Sequence, residues 1–327
     1  MVIIPRCSPV LIGVLLGAVH TLLLFMDLGI YTASITMCKS KLNILKTATF
    51  RAVFLIIFVF VLQGCAVKFV YNQLDWAIPW YLSDYMSLDG DQEDQFDERL
   101  AEYLKWHRQT QLPLYGDFLN QVADKLEQGM TESSIIYVQD RTQALGQVLI
   151  ERLVPDMVML FGSASDDQVV ALFEKFAEDN QEYREEYIDV SERAQRKLRA
   201  KEVQKYIERW TGRLSDDQLA LIREGTQQYY LMGAEFLQAR LAWQQEFRRI
   251  LEGRDEKPSF EKALSGLLLS EGYGRSDSFE TKLDHNKKIL LQLYLKLDSS
   301  LTERQRAKAV KKLRGYSEDF HDLSKQS

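Results

Sequence analysis

The stretch that decides the fold is LSDDQLALIREGTQQYYLMGAEFLQARL, residues 214–241. Its apolar side chains recur every three or four residues, which places them along one side of an α-helix and not on alternate faces of a strand. Ser215 stands three residues before Gln218, with two aspartates between them, and this arrangement is typical of a capping box at a helix start. The stretch predicts one amphipathic helix, which we expect to span 216–251.

The same start signal occurs at three other places in the chain. A capping side chain stands three residues before a glutamine in 88–92, 164–168 and 301–305. Because the four signals are unevenly spaced, they do not indicate a fixed-period solenoid. Together with the apolar period they predict an all-α, multi-helix body with helices at 68–86 (disturbed at Pro79), 90–109, 113–128, 132–153, 166–189, 192–211, 216–251, 259–270, 278–298 and 303–322.

The first 64 residues differ in composition from the rest. The chain has 327 residues with 41 Lys and Arg and 47 Asp and Glu, and all but five of the basic groups and all but one of the acids follow residue 64. A hydrophobic content of 46% excludes a disordered chain, and the acidic excess argues against nucleic acid as a partner. An apolar leader thus precedes an acidic body.

Residues 37–64 have the pattern of an export signal. Basic residues precede an apolar run at 52–62, which rises only about 16 Å as a helix, roughly half the thickness of a hydrocarbon core. The sequence Leu62-Gln63-Gly64-Cys65 resembles a bacterial lipobox, and the resemblance implies acylation of Cys65. A membrane anchor with a chance cysteine is the alternative. Residues 1–36 are interpreted as an upstream extension or an extra membrane segment, with Met37 favoured as the true start.

The segment 65–327 is therefore predicted to be one helical periplasmic domain held to a membrane through Cys65. It contains no other cysteine, so an internal disulfide is impossible. Because Ala66 and not Asp follows the lipobox, resemblance to sorted lipoproteins implies the outer membrane, facing the periplasm, with the inner membrane as the alternative.

Several short motifs follow the lipobox. They are YNQLDWAIPWYLSDY (71–85), Trp106-His107-Arg108 and Leu112-Pro113-Leu114-Tyr115. Together they resemble an uncharacterised family of Gram-negative lipoproteins. The resemblance implies fold and location, and it implies no activity.

No cofactor, metal or catalytic motif is evident. The three histidines after residue 65 are widely spaced, and phosphate-loop, dinucleotide and serine-hydrolase motifs are missing. The acids of 84–102 are interpreted as a solvated helix face, because they lack the spacing of a calcium loop. A peptidoglycan hydrolase that uses Asp or Glu, such as Glu182, Glu185 and Glu186, remains an alternative function.

The favoured function is non-enzymatic binding or scaffolding of an envelope protein or polymer. One side of the last helix carries Arg304, Lys308, Lys311 and Lys312, a candidate surface for an anionic partner, although these cations could also meet the protein's own acids or water. Residues 301–305 also resemble the LTxxQ motif of periplasmic stress chaperones, which gives a further alternative, but capping explains the same residues. The aromatic cluster Trp76, Trp80, Tyr81 and Tyr85 is expected to pack in the core, with the bilayer surface as the alternative.

Overall fold

The computed structural model describes residues 66–326, and this part of the chain is all-α, as predicted. The leader 1–36, the signal 37–64 and Cys65 lie outside the described residues. The helices are α1 (Ala66–Tyr71), α2 (Leu74–Ser83), α3 (Gly90–Trp106), a π-helical turn (His107–Gln111), α4 (Leu112–Gln128), α5 (Glu132–Gly162), α6 (Asp166–Tyr187), α7 (Glu192–Thr211), α8 (Asp216–Gln227), α9 (Gly233–Glu252), α10 (Lys257–Leu269), α11 (Asp277–Ser300) and α12 (Glu303–Ser324).

All four predicted capping boxes are confirmed. At the starts of α3, α6, α8 and α12 the N-cap side chain accepts from the amide of a glutamine, and that glutamine's side chain accepts from the N-cap amide. Each box therefore satisfies two backbone donors that a helix start leaves unpaired. The helix starts fall at the predicted residues because a cap depends only on its own four or five residues.

The boxes also pair with one another, which the sequence did not predict. Gln218 donates to Gln305 Oε1 and Gln305 donates to Gln218 Oε1, both at 3.0 Å. Each glutamine also donates to a backbone carbonyl oxygen just before the other glutamine's helix, two residues ahead of the N-cap residue of that helix. Gln92 and Gln168 make the same set of bonds between α3 and α6. Two positive helix N-termini meet at each pair, and the acidic side chains in the first turns of these helices offset the repulsion between them.

The first predicted helix, 68–86, is two helices. The chain turns at Asn72 and Gln73, where Gln73 N–H donates to Val70 O at 3.1 Å, so the disturbance predicted at Pro79 is misplaced. The turn lets α1 lie against α12 while α2 lies against α3. Pro79 sits inside α2, and Leu74, Ile78 and Leu82 form the buried side of this helix.

Helix α5 continues past its predicted end at residue 153, through Pro155, to Gly162. An internal proline costs a helix roughly 3 kcal/mol. Here the buried side chains continue at intervals of four beyond it, with Leu149, Leu153, Met157 and Phe161 all in the core. Burial of Met157 and Phe161, each worth about 1.5–3 kcal/mol, outweighs the cost.

The helix predicted over 216–251 is broken at 228–232. Helix α8 ends at Gln227 and α9 begins at Gly233, where an added Cβ would lie 2.9 Å from the backbone oxygen of Tyr187. The glycine thus allows the start of α9 to approach the end of α6. The apolar period runs across the break, which is why the sequence alone predicted one helix.

Three apolar clusters hold the described helices together. The largest joins α1–α6 with α9, α10 and α12, and the most extensive helix contact within it is between α4 and α12. A second cluster joins the end of α6 to the starts of α9 and α11, and a third joins α7, α8 and α11.

Candidate interaction surfaces

The basic run of α12 divides into two sets of cations. Arg306 forms an ion pair with Asp298 at 2.8 Å and also donates to the last turn of α4. Arg314 forms ion pairs with Asp124 and Glu127, both at 3.0 Å. These two arginines therefore tie α12 to its neighbours.

Lys312 also has an internal role, although the sequence grouped it with the candidate surface. Its Nζ donates to Arg209 O at 3.1 Å, and it lies over the rings of Trp210 and Tyr316. A cation on a carbonyl of the last turn is favourable for helix α7. Burial lowers the pKa of Lys312, and the nearby charges of Arg209 and Lys308 lower it further.

The remaining three cations, Arg304, Lys308 and Lys311, form what we call the basic edge. All three are exposed, and none makes an ion pair with a carboxylate anywhere in residues 66–326. Lys308 lies over Gly212, the residue that ends α7 with a positive φ of 84°, and a Cβ there would be 2.7 Å from Nζ. Lys308 thus brings one charge of the basic edge to the C-terminal end of α7.

The aromatic cluster after the lipobox is not a core cluster, so the core prediction is wrong for most of it. Trp76 is 64% exposed and Trp80 59% exposed, and Tyr81 is also exposed. The two indoles stack on each other, 6.1 Å between ring centroids and 10° between planes. We call Trp76 and Trp80 the Trp pair.

Tyr85 is the member of the cluster that does pack in the core. Its hydroxyl donates to Asp179 at 2.8 Å, and burial is the main cause of its raised pKa. The difference arises because Leu74, Ile78 and Leu82 already occupy the side of α2 that faces the protein, which leaves the Trp pair on the other side.

The carboxylates offered for the hydrolase alternative are all exposed on α6, and so are the acids of α3. A different carboxylate, Glu202, lines a cavity of about 70 Å³ between α6, α7, α9 and α11. Burial raises the pKa of Glu202, while Arg199, 3.2 Å away, opposes the shift. No sequence pattern marks Glu202 as a candidate, because its burial depends on distant helices.

No group of three or more His, Cys, Asp or Glu in residues 66–326 is arranged to hold a metal ion. His107 is buried among aromatic rings at the π-helical turn. Its Nδ1 lies 3.0 Å from the Tyr71 hydroxyl, and burial lowers its pKa to about 3. The motif Trp106-His107-Arg108 is therefore part of the packing between α1, α3 and α4, with Arg108 over the ring of Tyr71.

The LTxxQ-like residues are engaged inside the structure. Thr302 caps α12, and Gln305 bonds the Thr302 amide, Gln218 and the backbone oxygen of Arg213. Capping therefore accounts for both polar residues of this motif.

The candidate lipidation site, Cys65, immediately precedes α1. Among the helices of residues 66–326, none has the length and apolar character that crossing a bilayer requires.

Comparison with known proteins relates the chain to a protein family. No curated protein and no solved structure matches this sequence. Residues 84–273 match a family described as a family of unknown function, DUF6279, and the match includes the Trp106-His107-Arg108 motif and three of the four capping glutamines. Since the match covers more than half of the sequence, the chain belongs to the DUF6279 family.

Proposed function

We propose that this protein is a lipoprotein, anchored through Cys65 to the outer membrane and facing the periplasm, which binds an anionic envelope component without catalysing a reaction. The observation that carries the binding proposal is the basic edge. Arg304, Lys308 and Lys311 keep three positive charges together although acids outnumber bases in the chain. Nearby Arg306 and Arg314 show that α12 can pair its cations internally where acids are in reach.

The anchoring proposal is supported by the leader. The leader has three features of a lipoprotein export signal: a basic region, a short apolar run after it, and a lipobox-like sequence that ends at Cys65. Acyl chains on Cys65 would hold the protein at the membrane, because each buried methylene contributes about 0.8 kcal/mol. Cys65→Ser is expected to yield an unlipidated precursor, which mass spectrometry would detect. A mature wild-type protein with an unmodified Cys65 would contradict the anchoring proposal.

The binding proposal is tested by charge reversal of the basic edge. In R304E/K308E/K311E, capture of partners from solubilised membranes should fall at low salt, and added salt should weaken wild-type capture in the same way, since the Debye length is about 10 Å at 0.1 M. Lys312 is left unchanged because it stabilises α7. The control, K257E/K262E/K288E, changes the net charge by the same amount, but it does so at exposed lysines on α10 and α11. Equal capture by both variants would exclude the basic edge.

A second function, hydrolysis of peptidoglycan, is favoured by one observation: Glu202 lines the cavity between α6, α7, α9 and α11, where burial raises its pKa. A raised pKa suits a general acid, and glycosidases need a second carboxylate near the first. Glu186 is close enough to raise the pKa of Glu202 further. Cleavage of purified peptidoglycan by the wild type but not by Glu202→Gln would establish this function in place of binding alone.

A further inference from the structure

Helix α2 is apolar on both of its sides. Leu74, Ile78 and Leu82 face the protein, while Trp76 and Trp80 face away from it. A helix that is apolar all round is normally surrounded by protein or lipid. Trp76 is 64% exposed and Trp80 59% exposed, and each indole stacks on the other, so residues 66–326 leave this side of α2 uncovered.

We propose that the Trp pair inserts into the lipid–water interface of the membrane that carries the anchor. This inference rests on the proposed anchoring at Cys65. Trp76 and Trp80 lie within 15 residues of Cys65. The short helix α1 rises about 1.5 Å per residue, so Trp76 lies within roughly 25 Å of the acylation site along the chain. Anchoring makes this second contact intramolecular and therefore raises its effective concentration.

The chain between the anchor and the Trp pair is fixed to the protein. Lys68 in α1 forms ion pairs with Asp322 at 2.7 Å and with Asp319 at 3.3 Å in α12. The Tyr71 hydroxyl contacts His107 at the π-helical turn. Insertion of the Trp pair would therefore set the orientation of the whole helical body on the membrane.

The chemistry of this side favours lipid over a charged partner. Tryptophan is enriched at bilayer interfaces because its ring is apolar and its N–H is polar. Lys68 is already paired, and the acidic Asp75 precedes Trp76. Phe69, 67% exposed on α1, adds a third aromatic side chain close in sequence. Contact with the bilayer should therefore depend on apolar insertion and little on salt or on anionic lipid, in contrast to the basic edge.

The test uses the mature lipoprotein, purified from membranes and reconstituted into phosphatidylcholine vesicles with brominated acyl chains, which quench tryptophan fluorescence at short range. The sequence contains five tryptophans, Trp76, Trp80, Trp106, Trp210 and Trp243. In W76F/W80F we expect the quenched fraction of the emission to fall several-fold. In the matched control W106F/W210F we expect it to rise, because the remaining emission comes mainly from the Trp pair.

Three results would overturn the proposal in distinguishable ways. Equal quenching in the two double variants would mean that the Trp pair is not the part in contact with lipid. Wild-type protein that floats with the vesicles but is not quenched would refute insertion while leaving the anchoring intact. Wild-type protein that does not float with the vesicles would refute the anchoring and the insertion together.

Discussion

The paired capping glutamines should be energetically coupled across sequence separations of about 80 residues. Gln218 is almost fully buried and makes three kinds of bond, to the Ser215 amide, to Ser300 O and to Gln305. Each bond contributes about 1 kcal/mol net, so Gln218→Ala should lower the free energy of unfolding by about 3 kcal/mol. Gln305→Ala should have a similar effect, because it loses the equivalent bonds.

The double variant Q218A/Q305A should lose less than the sum of the single variants. Both single variants already remove the amide–amide bonds, so the coupling energy should be about 1–2 kcal/mol. The assay is urea unfolding followed by circular dichroism, with residues 66–327 produced without the leader. The control is Q218A/Q168A, which combines glutamines from different pairs and should be additive within about 0.5 kcal/mol. Equal coupling in the two double variants would refute the pairing.

Two further predictions concern buried positions. Burial lowers the pKa of His107 to about 3, below its ordinary value of about 6.5, so between these values the unfolded state binds a proton that the folded state does not. The free energy of unfolding should therefore fall as the pH drops from about 6.5 towards 3, by up to about 1.4 kcal/mol per pH unit from this residue. Urea unfolding at several pH values measures this dependence, and His107→Gln should make it less steep. An unchanged pH dependence in His107→Gln would contradict the role assigned to this residue. Gly233→Ala should lower the free energy of unfolding by about 1–3 kcal/mol, because the added Cβ would meet the backbone oxygen of Tyr187. The control Gly146→Ala adds a Cβ with nothing within 4 Å and should raise the free energy of unfolding by about 0.5–1 kcal/mol. Equal shifts of the melting temperature in the two variants would argue against the close contact at Gly233.

The sequence by itself determined the helical class and most helix starts. The starts of α3, α5, α6, α7, α8 and α12 fall at the predicted residues. In each case the decisive atoms belong to a few consecutive residues, as when Ser215 caps α8 and Gln218 reaches back to it. A local signal of this kind is unaffected by what packs on the helix later.

Tertiary structure decided where helices continue and where they break. Pro155 would end an isolated helix, but burial of Met157 and Phe161 carries α5 past it. The period of residues 214–241 would allow one long helix, but close approach to the end of α6 favours a break before Gly233. Burial against distant segments contributes several kcal/mol, more than the local preference it opposes.

Tertiary structure also decided which candidate residues are available for contact. Spacing placed Arg304, Lys308, Lys311 and Lys312 on one side of α12, yet only the neighbouring end of α7 explains why Lys312 is engaged internally. Likewise, the aromatic composition of α2 does not reveal which rings face outward. Trp76 and Trp80 are exposed because the opposite side of α2 packs on the core, and that choice depends on helices far away in the sequence.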